Sequence, residues 1–87
     1  MADTIGLLAE AVQLARDLGY VVREEPLGDA PGGGCTIGGR QQVLLNVAQP
    51  PAERLDRLVR VLAEDPRVAA EPKSRLLAGR LQEIKAG

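Results

Sequence analysis

Residues 35–62, CTIGGRQQVLLNVAQPPAERLDRLVRVL, decide the fold because they contain a β-hairpin followed directly by an amphipathic helix. Two β-rich runs, Cys35–Ile37 and Gln41–Val47, flank a pair of glycines, which is typical of a hairpin turn. Pro50 and Pro51 end the second run and suit the first turn of a helix. This stretch predicts two strands and then a helix.

The predicted helix is amphipathic and ends before Pro66. Its apolar residues follow the i, i+3, i+4, i+7 pattern of a buried helix face: Leu55, Leu58, Val59 and Leu62. Its arginines alternate with acids at i, i+4 spacing, in the pairs Glu53–Arg57, Asp56–Arg60 and Arg60–Glu64. We interpret the charged side as a solvated, salt-bridged face, and the alternative is a docking surface for an acidic partner.

The hairpin has two possible registers, and a slip of one residue moves every side chain to the other face. A two-residue turn pairs Ile37 with Arg40, whereas a three-residue loop pairs Ile37 with Gln41 and Cys35 with Val43. The second register collects apolar residues on one face, so we predict it, with Cys35 buried as a small hydrophobe. The predicted inner face comprises Cys35, Ile37, Val43, Leu45 and Val47.

The remaining segments predict two more helices and one more strand. Residues 3–18 carry two adjoining apolar rows at helical spacing, and Gly19 suits the end of that helix. Tyr20–Glu25 reads as a short strand that Pro26 ends, and the glycine-rich residues 27–34 read as a loop. Glu71 and Pro72 open a last helix, whose apolar stripe is Leu77, Leu81 and Ile84.

The chain of 87 residues therefore predicts a single domain, residues 1–87, of the α+β class. The element order is α-β-β-β-α-α. We expect a small three-stranded antiparallel sheet with the helices packed on one face. The order of the strands stays open, because the loop before the hairpin is long enough for either neighbour arrangement.

The composition excludes most catalytic chemistry, since the chain has no histidine and a single cysteine. A zinc site takes about four Cys, His or carboxylate ligands, and a Ser-His-Asp or Cys-His arrangement needs an imidazole. We therefore expect no catalytic residue, no metal and no cofactor, and we interpret the protein as a non-enzyme.

Charge and hydropathy argue against two further classes of partner. Eleven basic and twelve acidic residues give a net charge of -1, whereas nucleic-acid binding favours a basic face. No run approaches the roughly 20 apolar residues of a membrane span, and the N-terminus lacks the basic region of a signal peptide. A lone cysteine suits a reducing compartment. We expect a cytoplasmic protein that binds neither nucleic acid nor membrane.

A surplus of apolar surface predicts a protein partner. Without Phe or Trp the core is thin, and the first helix is apolar on a broad front. The candidate interface residues are Leu7, Ala11 and Leu14 on that helix, with Val21 and Arg23 on an edge strand. The predicted function is a non-catalytic module that forms a homodimer or binds another protein. A further possibility is a subunit whose core its partner completes.

A small-ligand or anion-binding domain is the competing hypothesis. Gly32, Gly33 and Gly34 precede Cys35, and successive glycines can present backbone amides to an anion, with Arg40 supplying positive charge. Phosphate loops usually lead into a helix, whereas a strand is predicted here, and the motifs GxxxxGK[ST] and GxGxxG are absent. A bent hairpin entry is the structural interpretation of the same glycines.

Residues 18–62 resemble a family of small uncharacterised bacterial proteins, in which a glycine-rich, cysteine-containing hairpin precedes a proline-started helix. That resemblance implies no particular activity. The hairpin and helix are also similar to the core of minimal zinc-dependent peptidases, whose helix carries an HExxH motif. Residues 57–61 read RLVRV instead. This second resemblance therefore implies no zinc and no peptidase chemistry.

Overall fold

Three helices and three strands follow one another in the predicted order. The structure is a computed structural model that describes residues 3–86; Met1, Ala2 and Gly87 of the predicted domain lie outside them. A 3-10 helix between the last two helices is the one element that the sequence pattern did not predict. The elements are α1 (Thr4–Asp17), β1 (Val21–Glu25), β2 (Gly33–Ile37), β3 (Arg40–Asn46), α2 (Pro51–Ala63), the 3-10 helix (Pro66–Ala70) and α3 (Arg75–Ala86).

The sheet is mixed, so the prediction of a purely antiparallel sheet is wrong in one of its pairs. The strand order is β1-β3-β2, with β2 antiparallel and β1 parallel to β3. β3 carries the run Val43-Leu44-Leu45 and takes the central position, where burial is greatest. The glycine-rich β2 and the charged β1 are left at the edges, and residues 26–32 pass the end of β3 to connect them.

The hairpin has the two-residue turn, so the predicted three-residue register is wrong. Ile37 pairs with Arg40 and Cys35 pairs with Gln42. Gly38 and Gly39 have φ angles of 58° and 78°, as a type I′ turn requires at both central residues. The twist of this turn matches that of the strands, and this local preference outweighs the matching of apolar side chains.

The observed register exchanges the two faces of β2. Val43 and Leu45 are buried on the inner face, as predicted, but Cys35 is exposed and Ile37 is 55% exposed. On the inner face of β2, Gly34 lies against Val61 of α2, where an added Cβ would be 3.3 Å from both methyl carbons. A glycine thus takes the inner position that was predicted for the cysteine, and a side chain there would have to displace Val61 by a few tenths of an ångström.

The core lies between the sheet and the helices. α1 contacts β1, α2 contacts β2 and β3, and α3 packs against α1 and α2. Ser74 Oγ accepts a hydrogen bond from the amide of Leu77 and so caps α3, while Glu10 of α1 accepts hydrogen bonds from the amide and hydroxyl of Ser74. These bonds attach the C-terminal helix to the first one.

Candidate functional site

β2 is the edge of the sheet that the sequence leaves unprotected. Natural edge strands usually carry charges or proline, which discourage pairing with another chain. β1 has Arg23, Glu24 and Glu25 and is followed by Pro26, whereas β2, Gly33–Ile37, contains neither a charge nor a proline. A strand from another molecule would therefore add more readily to β2 than to β1.

The hairpin geometry decides which backbone groups of β2 point outward. The pair that closes a two-residue turn, Ile37 and Arg40, exchanges both backbone hydrogen bonds, and such pairs recur at every second position. Cys35 and Gly33 therefore bond to β3 as well. Gly34 and Thr36 direct their N–H and C=O groups away from β3. No side chain or loop among residues 3–86 makes a hydrogen bond to them.

A groove lies between β2 and α2, and Gly34 and Thr36 are among the β2 residues that line it. Two adjoining cavities of about 470 and 360 Å³ form the groove, and Gly34, Val61 and Glu64 line both of them. Because Gly34 has no side chain, the backbone of β2 stays open toward the groove. We refer to this space, bounded by β2, by the α2 residues Arg57, Arg60 and Val61, by Glu64 just after α2 and by Ile84 of α3, as the β2 groove.

The α2 wall of the β2 groove carries opposite charges toward its two ends. Arg60 bonds to Asp56 at 2.9 Å, which is one of the three predicted i, i+4 pairs. Among residues 3–86, Arg57 and Glu64 make no ion pair, so the other two pairs are not formed. Arg57 in the middle of α2 and Glu64 just after its end thus remain available to charges on a partner.

A polar cluster, in which Tyr20 and Asp65 are buried and Arg67 is half exposed, lies at one end of the groove. The Tyr20 hydroxyl donates to Asp65 Oδ2 at 2.8 Å, and Arg67 Nη2 contacts the same oxygen at 2.7 Å. Arg67 also donates to the carbonyl of Leu18 at 3.1 Å and to Gln41 Oε1 at 3.1 Å. The cluster links β3, the end of α1 and the 3-10 helix.

The electrostatics of this cluster are those of a structural ion pair. The hydrogen bond from the Arg67 side chain, opposed in part by burial, holds the pKa of Asp65 well below its ordinary value. Burial, with the hydrogen bond to Asp65, raises the pKa of Tyr20. Asp65 therefore stays ionised and Tyr20 stays protonated at neutral pH, and the two side chains are already hydrogen-bonded to each other. The cluster shapes the groove and offers no free acid or base for catalysis.

Sequence reasoning missed this cluster for a physical reason. Asp65 stands before Pro66 and accepts a hydrogen bond from the amide of Arg67, which is a helix-capping pattern that can be read locally. Its bond to Tyr20 joins residues 45 positions apart, and no local pattern signals that contact.

The candidate anion-binding residues do not converge. Gly33 and Gly34 lie in β2, and Gly32 approaches the backbone of Leu44 so closely that no Cβ would fit. Arg40 lies opposite Ile37, at the other end of β2 from the glycines. The structure therefore uses the glycines for close packing of the backbone and separates them from the arginine that the hypothesis requires.

The candidate interface residues fall into two groups. Leu7, Ala11 and Leu14 lie in the core, with exposed fractions of 6% or less, so they present no surface to a partner. Most of the apolar front of α1 is instead covered by the sheet and by the other helices, although Ile5 is 67% exposed. Val21 and Arg23 do lie on an edge strand, but Arg23 is paired with Glu25 on that strand.

The fold and the groove define a small α+β domain with a mixed sheet, in which the edge strand β2 carries no charge or proline. No three or more His, Cys, Asp or Glu side chains within residues 3–86 come together as a metal site. In the same described part of the chain, no helix has the length and apolar character needed to cross a membrane. Comparisons with models of protein families, with curated proteins and with solved structures found no match.

Proposed function

We propose that the protein is a non-catalytic protein-interaction module whose binding element is the open edge of β2. The observation that carries this proposal is the outward backbone of Gly34 and Thr36, on a strand without charge or proline that borders the β2 groove. A lone cysteine supports a place in a reducing compartment such as the cytoplasm.

The mechanism of binding is the addition of a strand. A partner in extended conformation would exchange main-chain hydrogen bonds with Gly34 and Thr36 and would extend the sheet. Side chains on one face of the added strand would enter the β2 groove and contact Val61, while Arg57 and Glu64 would select the charges beside them. Backbone bonds would supply affinity, and the groove would supply specificity.

Two substitutions at one residue test this proposal. Thr36→Pro removes the outward N–H but no bond of the β2–β3 ladder, so the domain should keep its fold. Thr36→Val keeps the N–H and is the matched control. Each variant is immobilised, its fold is verified by circular dichroism, and bound proteins from an extract of the source cells, including the chain itself, are identified by mass spectrometry.

The expected result is a partner that wild type and Thr36→Val retain and that Thr36→Pro loses. Equal retention by all three proteins would contradict the proposal, because binding would then not depend on the backbone edge of β2.

A further inference from the structure

We infer that the strand added to β2 is β2 of a second copy of this chain, paired antiparallel about a twofold axis. The inference rests on the proposed function and names its partner. Two three-stranded sheets would then join into one six-stranded sheet. Its strand order would be β1-β3-β2 from one copy followed by β2-β3-β1 from the other. A twofold interface of this kind is closed, so association stops at the dimer.

The outward groups of β2 select one register. Pairing about Cys35 places Gly34 opposite the partner's Thr36, and the reverse, so that both outward residues of each strand form hydrogen-bonded pairs. Pairing about Gly34 would require Gly32, and pairing about Thr36 would require Gly38. Both lie outside β2 with φ angles of 78° and 58°. Only the register centred on Cys35 pairs strand with strand throughout.

The same arrangement fills the β2 groove with the partner's α2. α2 follows β3 after four residues, so it runs back over the sheet, antiparallel to β3 and parallel to β2. It contacts both strands and therefore lies above them. With strands about 4.8 Å apart, the two α2 axes would lie about 10 Å apart, which is the distance at which helices pack.

The charges of α2 suit this twofold pairing. Because the two helices run antiparallel, Arg57 of each copy comes beside Glu64 of the other, and Val61 lies near the axis. Both charged residues line the groove and make no ion pair within residues 3–86. The dimer would form two equivalent Arg57–Glu64 contacts around an apolar centre.

The first measurement is the molar mass in solution, by light scattering under reducing conditions over a hundredfold range of concentration. The inference expects twice 9.2 kDa for wild type and for Thr36→Val, and 9.2 kDa for Thr36→Pro. A Thr36→Pro protein that remains a dimer would overturn the inference, because another surface would then hold the two copies together.

The second measurement uses Cys35 as a reporter of the register. Across the twofold axis the two Cys35 residues form a non-hydrogen-bonded pair, with Cα atoms about 4.5 Å apart, which is close enough for a disulfide. Diamide takes up two electrons and two protons as two thiols become one disulfide. We expect conversion of most wild-type protein to a covalent dimer, and little conversion of Thr36→Pro.

A matched control moves the thiol along the same exposed face. In Cys35→Ala with Ile37→Cys, the two thiols would lie four strand positions apart along the pair, about 13 Å, so cross-linking should be lost. Equal cross-linking at positions 35 and 37 would overturn the register. Wild type could instead be a monomer that captures a different protein and loses that protein in Thr36→Pro. This result would overturn the inference that the partner is a second copy, but it would leave the proposed function in place.

Discussion

Asn46 holds the long loop between β1 and β2 in place, and its removal should cost a large part of the stability. The side chain is only 1% exposed at the end of β3. Its Nδ2 donates to the carbonyls of Gly28 at 2.9 Å and Ala30 at 2.8 Å. Its Oδ1 accepts from the amides of Leu27 at 3.1 Å and Ala48 at 3.0 Å. One side chain thus satisfies four backbone groups.

The expected cost follows from these four bonds. A buried hydrogen bond contributes about 1 kcal/mol net, and an unsatisfied partner costs more. Gly28 and Ala30 are exposed, so water can reach their carbonyls once the amide is gone. We therefore expect Asn46→Ala to lower the free energy of unfolding by about 2–3 kcal/mol. Gln49→Ala, whose side chain makes no hydrogen bond among residues 3–86, is the matched control and should cost less than about 0.5 kcal/mol.

Asn46→Asp separates the roles of the two amide atoms. The carboxylate still accepts from Leu27 and Ala48, but its second oxygen faces the carbonyls of Gly28 and Ala30. This repulsion raises the pKa of the introduced carboxyl, so its destabilising effect relative to wild type is present at pH 7 and decreases as the pH falls below that pKa.

Urea unfolding followed by circular dichroism at 222 nm, at pH 7 and at pH 5, measures both variants against wild type. A loss below about 1 kcal/mol for Asn46→Ala would refute the reasoning, because the four bonds would then contribute almost nothing.

Three further predictions concern other contacts. Because the pKa of Asp65 is lowered in the folded protein, the carboxylate contributes its full stabilisation above the ordinary pKa of 3.8, and this contribution is lost as the pH falls below 3.8. The difference in unfolding free energy between wild type and Asp65→Asn, measured by urea titration, should therefore shrink from pH 6 to pH 3. Gly34→Val should cost about 1–3 kcal/mol because its side chain would collide with Val61, and an unchanged melting temperature would contradict this contact. Ser74→Ala should cost about 1 kcal/mol through loss of the α3 cap, and faster hydrogen exchange confined to the first turn of α3 would be its signature.

Much of the fold could be predicted from local patterns. The position of the hairpin, the start of α2 at Pro51 and the end of α1 before Gly19 all depend on residues close together in sequence. Proline and glycine act on their own backbone angles, and a stripe of leucines acts within one helix. These local signals do not depend on the contacts that the rest of the chain makes.

The candidate site was predicted only in part, because its parts depend on the register and on distant contacts. The sequence favours an interaction module with an exposed strand edge, and the structure has such an edge at β2 as well as at β1. Assigning Cys35 to the core followed from matching apolar faces. The chain instead follows the preference of Gly38 and Gly39 for a type I′ turn, and this turn places Gly34 against Val61 of α2.

Composition and local backbone preference suffice to predict the element order, the α+β class and the absence of histidine chemistry. The central position of β3, the parallel direction of β1 and the contact of Tyr20 with Asp65 follow from the fold of the whole chain. These features join segments far apart along the chain, and burial of the whole core selects among arrangements that are equally good locally. The β2 groove depends on that selection, since it exists only where α2 crosses beside an uncovered strand.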